Sequence, residues 1–483
     1  MSQRRATKSE KTGAPLFDVM EAIDSPETRN TGLPEYPKYR DSGVTWLGKV
    51  PEHWELSRAK WSVLACRNGV WGAEPDGEND VICARVADFD RSWLRVNIAR
   101  PTLRAVTAKE RKNRELETDD LLLEKSGGGE LQPVGAVVVW DHKLTAVSSN
   151  FIARMPVRQG FDTWYLAFIH SHYYDRRVNT RSIKQSIGIQ NLDSRQYLDE
   201  KIPVPPLPEQ RAIAGFLRER TGKIDTLIAK KRAMIELLKE KRTALITHAV
   251  TKGLNPDAPT KPSGIDWLGD VPKHWEVPPL YARYESVLGK MLDQKQITKF
   301  DLVPYLRNVD VQWDSIQTDE LPVMTIEEDR LDRFTVKHGD LLVCEGGEVG
   351  RAAIWNGSIE PCGFQKALHR LRPRDTSREN PRFLYYVFYA AAKMEVFIAG
   401  GNPNTIPHLT GEKLHVHRFP IPPKSEQNAI AKNLDEKSLS IFSLIDQVKS
   451  VISRLNEYRA ALITDAVTGR IDVREYETTI PGE

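Results

Sequence analysis

The residues best equipped to do chemistry in this chain are few and scattered. Asp119-Asp120 with Glu124-Lys125, and Asp340 with Glu345, resemble nuclease carboxylate sets that could hold a divalent metal. The second set lacks the lysine, and adjacent strand residues face opposite ways, so convergence on one metal is not expected. Gly127-Gly128-Gly129 and Gly346-Gly347-Glu348-Val349-Gly350-Arg351 suggest phosphate loops, yet neither ends in the Gly-Lys-[Ser/Thr] that sets a lysine on the β/γ-phosphates. They read better as turns. His53 and His274 stand beside Trp54 and Trp275 with no Cys or His cluster to share a metal. Trp46 and Trp267 precede those tryptophans at one spacing, which suits a clasp of buried aromatics rather than a proton shuttle. Cys66, Cys83, Cys344 and Cys362 are far apart with no CxxC pair, so neither zinc nor disulfides are indicated, and a reducing cytoplasm fits. The chain has no Asn-Pro-Pro-aromatic tetrad, Walker motif or nucleophile elbow. No catalytic residue, metal site or bound cofactor is expected.

Residues suited to touching nucleic acid are easier to find. The segment from Arg176 to Gln185 carries Arg176, Arg177, Arg181 and Lys184 among amide and hydroxyl side chains, with no acid. That composition both grips a phosphate backbone and reads base edges. Gln185, Gln190 and Asn191 extend it, and Gly401, Asn402 and Asn404 lie in the corresponding uncharged loop of the second half. Arg85 and Arg307 recur at matching places, each three residues before an aspartate. A bidentate contact to phosphate or guanine and an internal ion pair with Asp88 or Asp310 are equally open for them.

The elements that must hold these residues are written twice. Gly43 to Trp54 returns as Gly264 to Trp275 at an offset of 221, and Ile202 to Gln210 returns as Phe419 to Gln427 at 217. The second offset then holds without a gap through Ala244–Thr251 and Ala461–Thr468. Between these anchors the halves diverge, as a shared fold with different surfaces would. The stretches 55–200 and 276–418 carry short β-rich runs between Gly-rich turns, plus helical stretches at Thr163–Tyr173 and Arg382–Phe397. The Pro-rich strings at 203–208 and 420–423 are expected to act as stiff hinges.

After each hinge runs a Pro-poor stretch with a heptad seam. Its apolar positions are Leu217, Ile224, Ile228, Ile235, Leu238 and Leu245 in the first copy. In the second they are Leu434, Ile441, Ile445, Val448, Ile452, Leu455 and Leu462. Thr221, Lys231, Arg242, Ser438 and Arg459 interrupt them. The seams are in phase, so each helix is the natural partner of the other. The expected fold is mixed α/β: two globular domains joined by two long antiparallel helices in an intramolecular coiled coil, with a pseudo-two-fold internal repeat. The boundaries read as a flexible leader (1–35), a first domain with its clasp (36–202) and a hinge with the first helix (203–254). A second domain with its clasp (255–419), a second hinge and helix (420–470) and a tail (471–483) complete the chain.

At 483 residues the chain exceeds one ordinary core, and no apolar run approaches the length that spans a bilayer. Net charge is only +3, so any nucleic-acid surface must come from local clustering.

The Trp-Leu-Gly-x-Val-Pro-x-His-Trp clasp, the Pro-rich string ending in Glu-Gln and the helix ending Ala-Leu-Ile-Thr-x-Ala-Val-Thr, each present twice, resemble the DNA specificity subunit of type I restriction–modification systems. The likeness covers nearly everything after Tyr36. It implies two target-recognition domains, each reading half of a bipartite asymmetric site on double-stranded DNA. It also implies two modification subunits that bring S-adenosylmethionine and catalysis, and restriction subunits that bring ATP, Mg and cleavage. A lone DNA-modifying or DNA-cleaving enzyme with divergent motifs, and a protein-binding helical scaffold, are the competing readings.

Overall fold

The computed structural model describes residues 33–186, 188–292, 302–399 and 408–476. Four helices frame it: α1 (Thr163–Asp175), α2 (Leu207–Lys252), α3 (Pro381–Lys393) and α4 (Lys424–Val467). The chain forms two compact units, the first running to Arg232 and resuming at Lys449, the second spanning Ala233–Val448. Each long helix is therefore divided between the units, rather than each following its own domain as a separate element.

Unit 1 is built on a six-stranded sheet whose centre is Asp120–Glu124 between Ile152–Met155 and Val137–Trp140. These central strands are buried throughout, which explains their unbroken apolar character. Helix α1 covers the sheet, burying Tyr165, Leu166, Phe168, Ile169 and Tyr173 in the same core as the α2 residues Leu217, Ile224 and Ile228 and the α4 residues Leu455 and Leu462. Asp225 meets Arg459, and Glu219 meets Tyr476, so the two helix segments run antiparallel within this unit.

Unit 2 repeats the plan with a four-stranded sheet ordered Tyr284–Leu288, Leu368–Pro373, Leu341–Cys344, Ala352–Ile354. Helix α3 packs there, and Ile246, Ala249 and Val250 of α2 share its core with Ile430, Ala431 and Leu434 of α4. Arg242 reaches Ser438 while Gly253 lies beside Glu426, again an antiparallel pair.

The Pro-rich strings are not free hinges. Pro203 lies in a strand, Lys201–Val204, paired with Glu55–Arg58, and Ile421 bridges Glu276. A two-stranded pairing tolerates the missing N–H of proline, so the strings expected as stiff hinges are also tied down by strand pairing. Pro208 sits in the first turn of α2, where its ring costs no helix hydrogen bond. The described part of the tail, residues 471–476, packs against the rest of unit 1. Ile471 and Val473 are buried, the Asp472 N–H donates to the Pro34 carbonyl at 2.7 Å, and Tyr476 meets Phe216 edge-on at 4.8 Å. Residues 1–32 and 477–483 lie outside the described residues.

Most seam positions are buried: Leu217, Ile224, Ile228, Ile235, Leu434, Ile441, Ile445, Val448, Leu455 and Leu462. Leu238, Leu245 and Ile452 are half-buried. Near the end of α2 the fully buried residue is Ile246 rather than Leu245. A helix of 3.6 residues per turn drifts from a strict heptad, and here it follows the drift.

Candidate nucleic-acid interface

The frame that positions the surface loops begins at the Glu-Gln pair after each Pro-rich string. Glu209 accepts from Trp54 Nε1 at 2.8 Å and from the Tyr36 hydroxyl at 2.6 Å, and its other oxygen meets His53 Nε2 at 2.9 Å. Gln210 accepts from the Asp162 N–H at 3.0 Å, just where α1 begins, and donates to the Pro205 carbonyl at 2.9 Å. The second copy repeats this: Glu426 meets His274 at 2.7 Å, while Gln427 accepts from the Asn380 N–H at 2.8 Å and donates to Pro422 at 2.9 Å. One dipeptide thus locks clasp, strand and helix together in each unit. Gly469, in the left-handed region after α4, lies so close to Pro51 that a Cβ would come within 2.4 Å of its ring. Clasp 1 is therefore seated on the end of α4, and clasp 2 on the end of α2 at Gly253. The recurring Glu-Gln was visible in the sequence, but its partners were not.

On this frame unit 1 presents a small exposed sheet in which Ile189–Leu192 lies between Ser126–Gly127 and Ile183–Ser186. The Gly-rich turn and the basic segment, distant in sequence, are here joined. Arg176 ends α1 and is exposed, as is Arg181 in the short 3-10 turn that follows. Arg177 adopts the left-handed conformation, its guanidinium 6.0 Å from the Tyr174 ring and within 3.4 Å of the Leu131 carbonyl. Lys184 is exposed but pairs with Asp193 at 2.8 Å. Gln185 lies on the strand 183–186. Asn191 is exposed and accepts from the Ser126 hydroxyl. Gln190 is turned inward, its side-chain oxygen accepting from the Val134 N–H at 3.3 Å. It braces the loop from below.

Arg85 and Arg307 form the ion pairs. Arg85 donates to Asp88 through Nε at 3.2 Å and Nη2 at 2.8 Å, and Arg307 to Asp310 at 2.9 and 2.7 Å. Each aspartate also accepts from its arginine's own backbone N–H, closing a tight turn. The twin geometry explains the recurrence structurally, although both arginine side chains keep 39 % of their surface in solvent.

In unit 2 Gly401, Asn402 and Asn404 lie outside the described residues. The flanking frame is described: Leu409 N–H donates to Glu345 as Leu192 N–H does to Lys125, both at 2.8 Å. Asn308 donates to the Gly346 carbonyl at 3.1 Å and is itself held by Arg351 at 3.0 Å, bracketing the Gly-rich turn. Sequence composition did not single out these two residues.

The acidic sets are engaged internally. Asp120 pairs with Arg154, Glu124 with Arg91 at 2.9 Å, and Asp340 with Arg372 through both oxygens at 2.8 and 2.7 Å. Burial pushes the Asp120 and Glu124 carboxyls up, against the pull of their arginines. Among the described residues no three His, Cys, Asp or Glu side chains are grouped to hold a metal, and no helix is long and apolar enough to cross a membrane.

Residues 277–454 match the family described as the type I restriction modification DNA specificity domain. The chain is 22 % identical over 451 residues to a putative type I restriction enzyme MjaX specificity subunit of Methanocaldococcus jannaschii, covering 92 % of this chain and 99 % of that protein. It is 23 % identical over 302 residues to the EcoBI specificity subunit of Escherichia coli, covering 59 % and 61 %. In fold it is similar to a chain from a structure of type I R-M complex assembly and conformational transition (TM-score 0.62, 15 % identity, 86 % and 98 % covered). It is also similar to the HsdS subunit of Thermoanaerobacter tengcongensis (TM-score 0.50, 14 % identity, 87 % and 98 % covered).

Proposed function

We infer that this chain, which belongs to the type I restriction modification DNA specificity family, is the sequence-specific DNA-binding subunit of a type I restriction–modification complex. The observation that carries this reading is the doubled architecture. Two units share clasp, Glu-Gln lock and helix pair, yet differ in the sequences between those shared parts. A repeated frame with unlike surfaces suits the reading of two unlike half-sites. In unit 1 the reader is the exposed sheet around Ser126, Arg181, Lys184 and Asn191, with Arg176 and Arg177 at its root.

The long helices act as the spacer. Helix α2 has 46 residues, roughly 70 Å at about 1.5 Å per residue, against about 3.4 Å per base pair of B-DNA. Readers set by such a ruler would contact half-sites separated by up to about 20 base pairs, two helical turns, and leave the intervening bases unread. The chain itself does no chemistry. Two modification subunits supply methyl transfer from S-adenosylmethionine, and restriction subunits supply ATP- and Mg-dependent cleavage.

Domain exchange tests the reading. Replacing residues 55–200 with the corresponding segment of a relative, and mapping genomic methylation with the modification subunit present, should change one half-site and spare the other. A change in both half-sites, or in neither, contradicts it.

A further inference from the structure

The two units carry the same turn with different tips. In unit 1 it joins the strands Ala146–Ser148 and Ile152–Met155, and in unit 2 Gly363–Phe364 and Leu368–Pro373. Four backbone hydrogen bonds recur. The Ser149 N–H donates to the Ala84 carbonyl at 2.9 Å as Gln365 does to Leu306 at 3.0 Å, and Ile152 donates to Ser149 at 3.0 Å as Leu368 does to Gln365 at 3.1 Å. Gly69 donates to Ile152 at 2.9 Å as Gly289 does to Leu368 at 3.0 Å, and Lys125 donates to Phe151 at 2.8 Å as Glu345 does to Ala367 at 2.9 Å. The two glycines are required by the fit. A Cβ on Gly69 would run into the Ser148 carbonyl, and one on Gly289 into the Gln365 carbonyl.

These bonds tie each turn to the residues already singled out for DNA. The strand that ends at Ala84 leads into Arg85, and the one that ends at Leu306 leads into Arg307. Lys125 leads into Ser126, whose hydroxyl donates to Asn191, and its own ammonium donates to Asn68 at 2.9 Å. Glu345 likewise leads into Gly346, whose carbonyl Asn308 holds at 3.1 Å. The frame leaves two residues free at each tip, Asn150-Phe151 in unit 1 and Lys366-Ala367 in unit 2. Asn150 and Lys366 are exposed, and Phe151 keeps 48 % of its surface in solvent. Ala367 has a φ of 130°, which a bulkier side chain would strain, so unit 2 keeps that place small.

A tip that differs while every bond beneath it repeats suits two different ligands. A protein bound in two copies would meet like surfaces, as the clasps and Glu-Gln locks are alike. The edges of two unlike base pairs are unlike ligands, and the donors around the tips, Lys125 and Asn68 in unit 1 and Lys366 in unit 2, suit DNA. A phosphate offers nothing to an exposed phenyl ring. On a base edge the match for that ring is the thymine methyl group, the apolar group that the major groove presents, whereas a lysine donates to the O6 and N7 acceptors of guanine.

We propose that these turns are specificity elements of the two readers: Phe151 packs on a thymine methyl group in the half-site of unit 1, and Lys366 donates to a guanine in that of unit 2. The proposal rests on the DNA-reading function inferred above and adds the base that each unit prefers at one position.

The test uses the full-length chain assembled with the modification subunit. Genomic methylation defines the half-sites, and exchange of residues 55–200 assigns one of them to unit 1. Binding is then measured on duplexes in which each thymine of that half-site is replaced in turn by uracil, which lacks only the methyl group. One such uracil should weaken wild type about fourfold, the worth of one buried methyl group, and should leave Phe151→Ala indifferent. Thermal unfolding checks that variant, and if it does not fold, Phe151→Gln is read in its place. The double variant Asn150→Lys, Phe151→Ala copies the tip of unit 2 and should turn one position of the same half-site toward guanine while sparing the other half-site. Lys366→Met should relax one guanine of the half-site of unit 2. The role of Phe151 is overturned by a unit 1 half-site without thymine, by no uracil effect on wild type, or by an equal effect on the variant. An unaltered guanine preference in Lys366→Met overturns the role of Lys366. If the complex methylates no defined site, the proposed function fails and the turns with it; if it does and these substitutions shift nothing, the turns alone fail.

Discussion

Asp225 of α2 and Arg459 of α4 face each other at 3.0 Å inside unit 1, both nearly buried, where the helix seam would otherwise be apolar. The repeat counterpart of Arg459 is Arg242, and that of Asp225 is Phe442. Arg242 accordingly has no carboxylate in that place and lies over the Phe442 and Tyr389 rings at 4.7 and 4.6 Å, with Ser438 at 3.2 Å. One buried cation position is thus satisfied by charge in one unit and by aromatic faces in the other. Asp225→Ala takes the paired carboxylate from the Arg459 guanidinium, which keeps the Ser92 carbonyl, and should cost about 3 kcal/mol, the scale for breaking a buried pair. Phe442→Ala removes one of two rings and should cost about 1 kcal/mol. Urea unfolding of both variants checks the ranking, and equal losses would contradict it.

Glu209 and Glu426 occupy matching positions with unequal duties. Glu209 is buried and serves Trp54, Tyr36 and His53, whereas among the described residues Glu426 meets a half-exposed His274 and Trp275 Nε1 has no hydrogen-bond partner. Glu209→Ala leaves two buried donors unsatisfied and should cost about 3 kcal/mol, while Glu426→Ala should stay within about 1 kcal/mol. Thermal melts of the two single variants decide this, and a Glu426 variant melting lower than the Glu209 variant would refute it.

Stability should fall on mild acidification because of α1. Burial lowers His170 and His172 from the ordinary 6.5 to about 4, with Arg176 and Arg470 adding to the effect at His172. Both are therefore neutral in the fold where the unfolded chain is already protonated. The unfolded state binds more protons between pH 6.5 and about 4, so stability is intact above that window and is lost as pH drops through it. The slope is at most about 1.4 kcal/mol per pH unit for each histidine. His170→Phe, which copies Phe388 of α3, should remove about half of that slope in denaturation midpoints measured from pH 7 to pH 4.5.

The frame was legible in the sequence because it depends on residues with few conformational alternatives. Prolines, recurring tryptophans and an apolar period all mark position without reference to distant chain. What could not be read is whatever depends on contact across long separations. The residues from Lys449 onward fold with the first unit because Ile471 and Val473 bury against residues more than 400 positions earlier, and no local signal carries that. Among the candidate contact residues, composition grouped Gln190 with Asn191, but strand alternation sends one inward and the other out. Arg85 and Arg307 were undecidable for a similar reason, since an arginine suited to phosphate is equally suited to a neighbouring aspartate.

That ambiguity can be resolved by salt dependence. Arg176, Arg177 and Arg181 are exposed and make no ion pair among the described residues, so each is available to neutralise a phosphate. Arg85 already has Nε and Nη2 on Asp88. Replacing all three exposed arginines by alanine should weaken DNA binding by the assembled complex across unrelated sequences. It should also flatten the plot of log affinity against log salt by up to about 0.9 for each contact removed. Arg85→Ala should leave that slope unchanged and instead loosen the turn that Asp88 closes, read as faster amide exchange at residues 86–88. A triple variant with an unaltered slope would remove these arginines from the DNA face, and a flattened slope for Arg85→Ala would show that its guanidinium serves phosphate as well as Asp88.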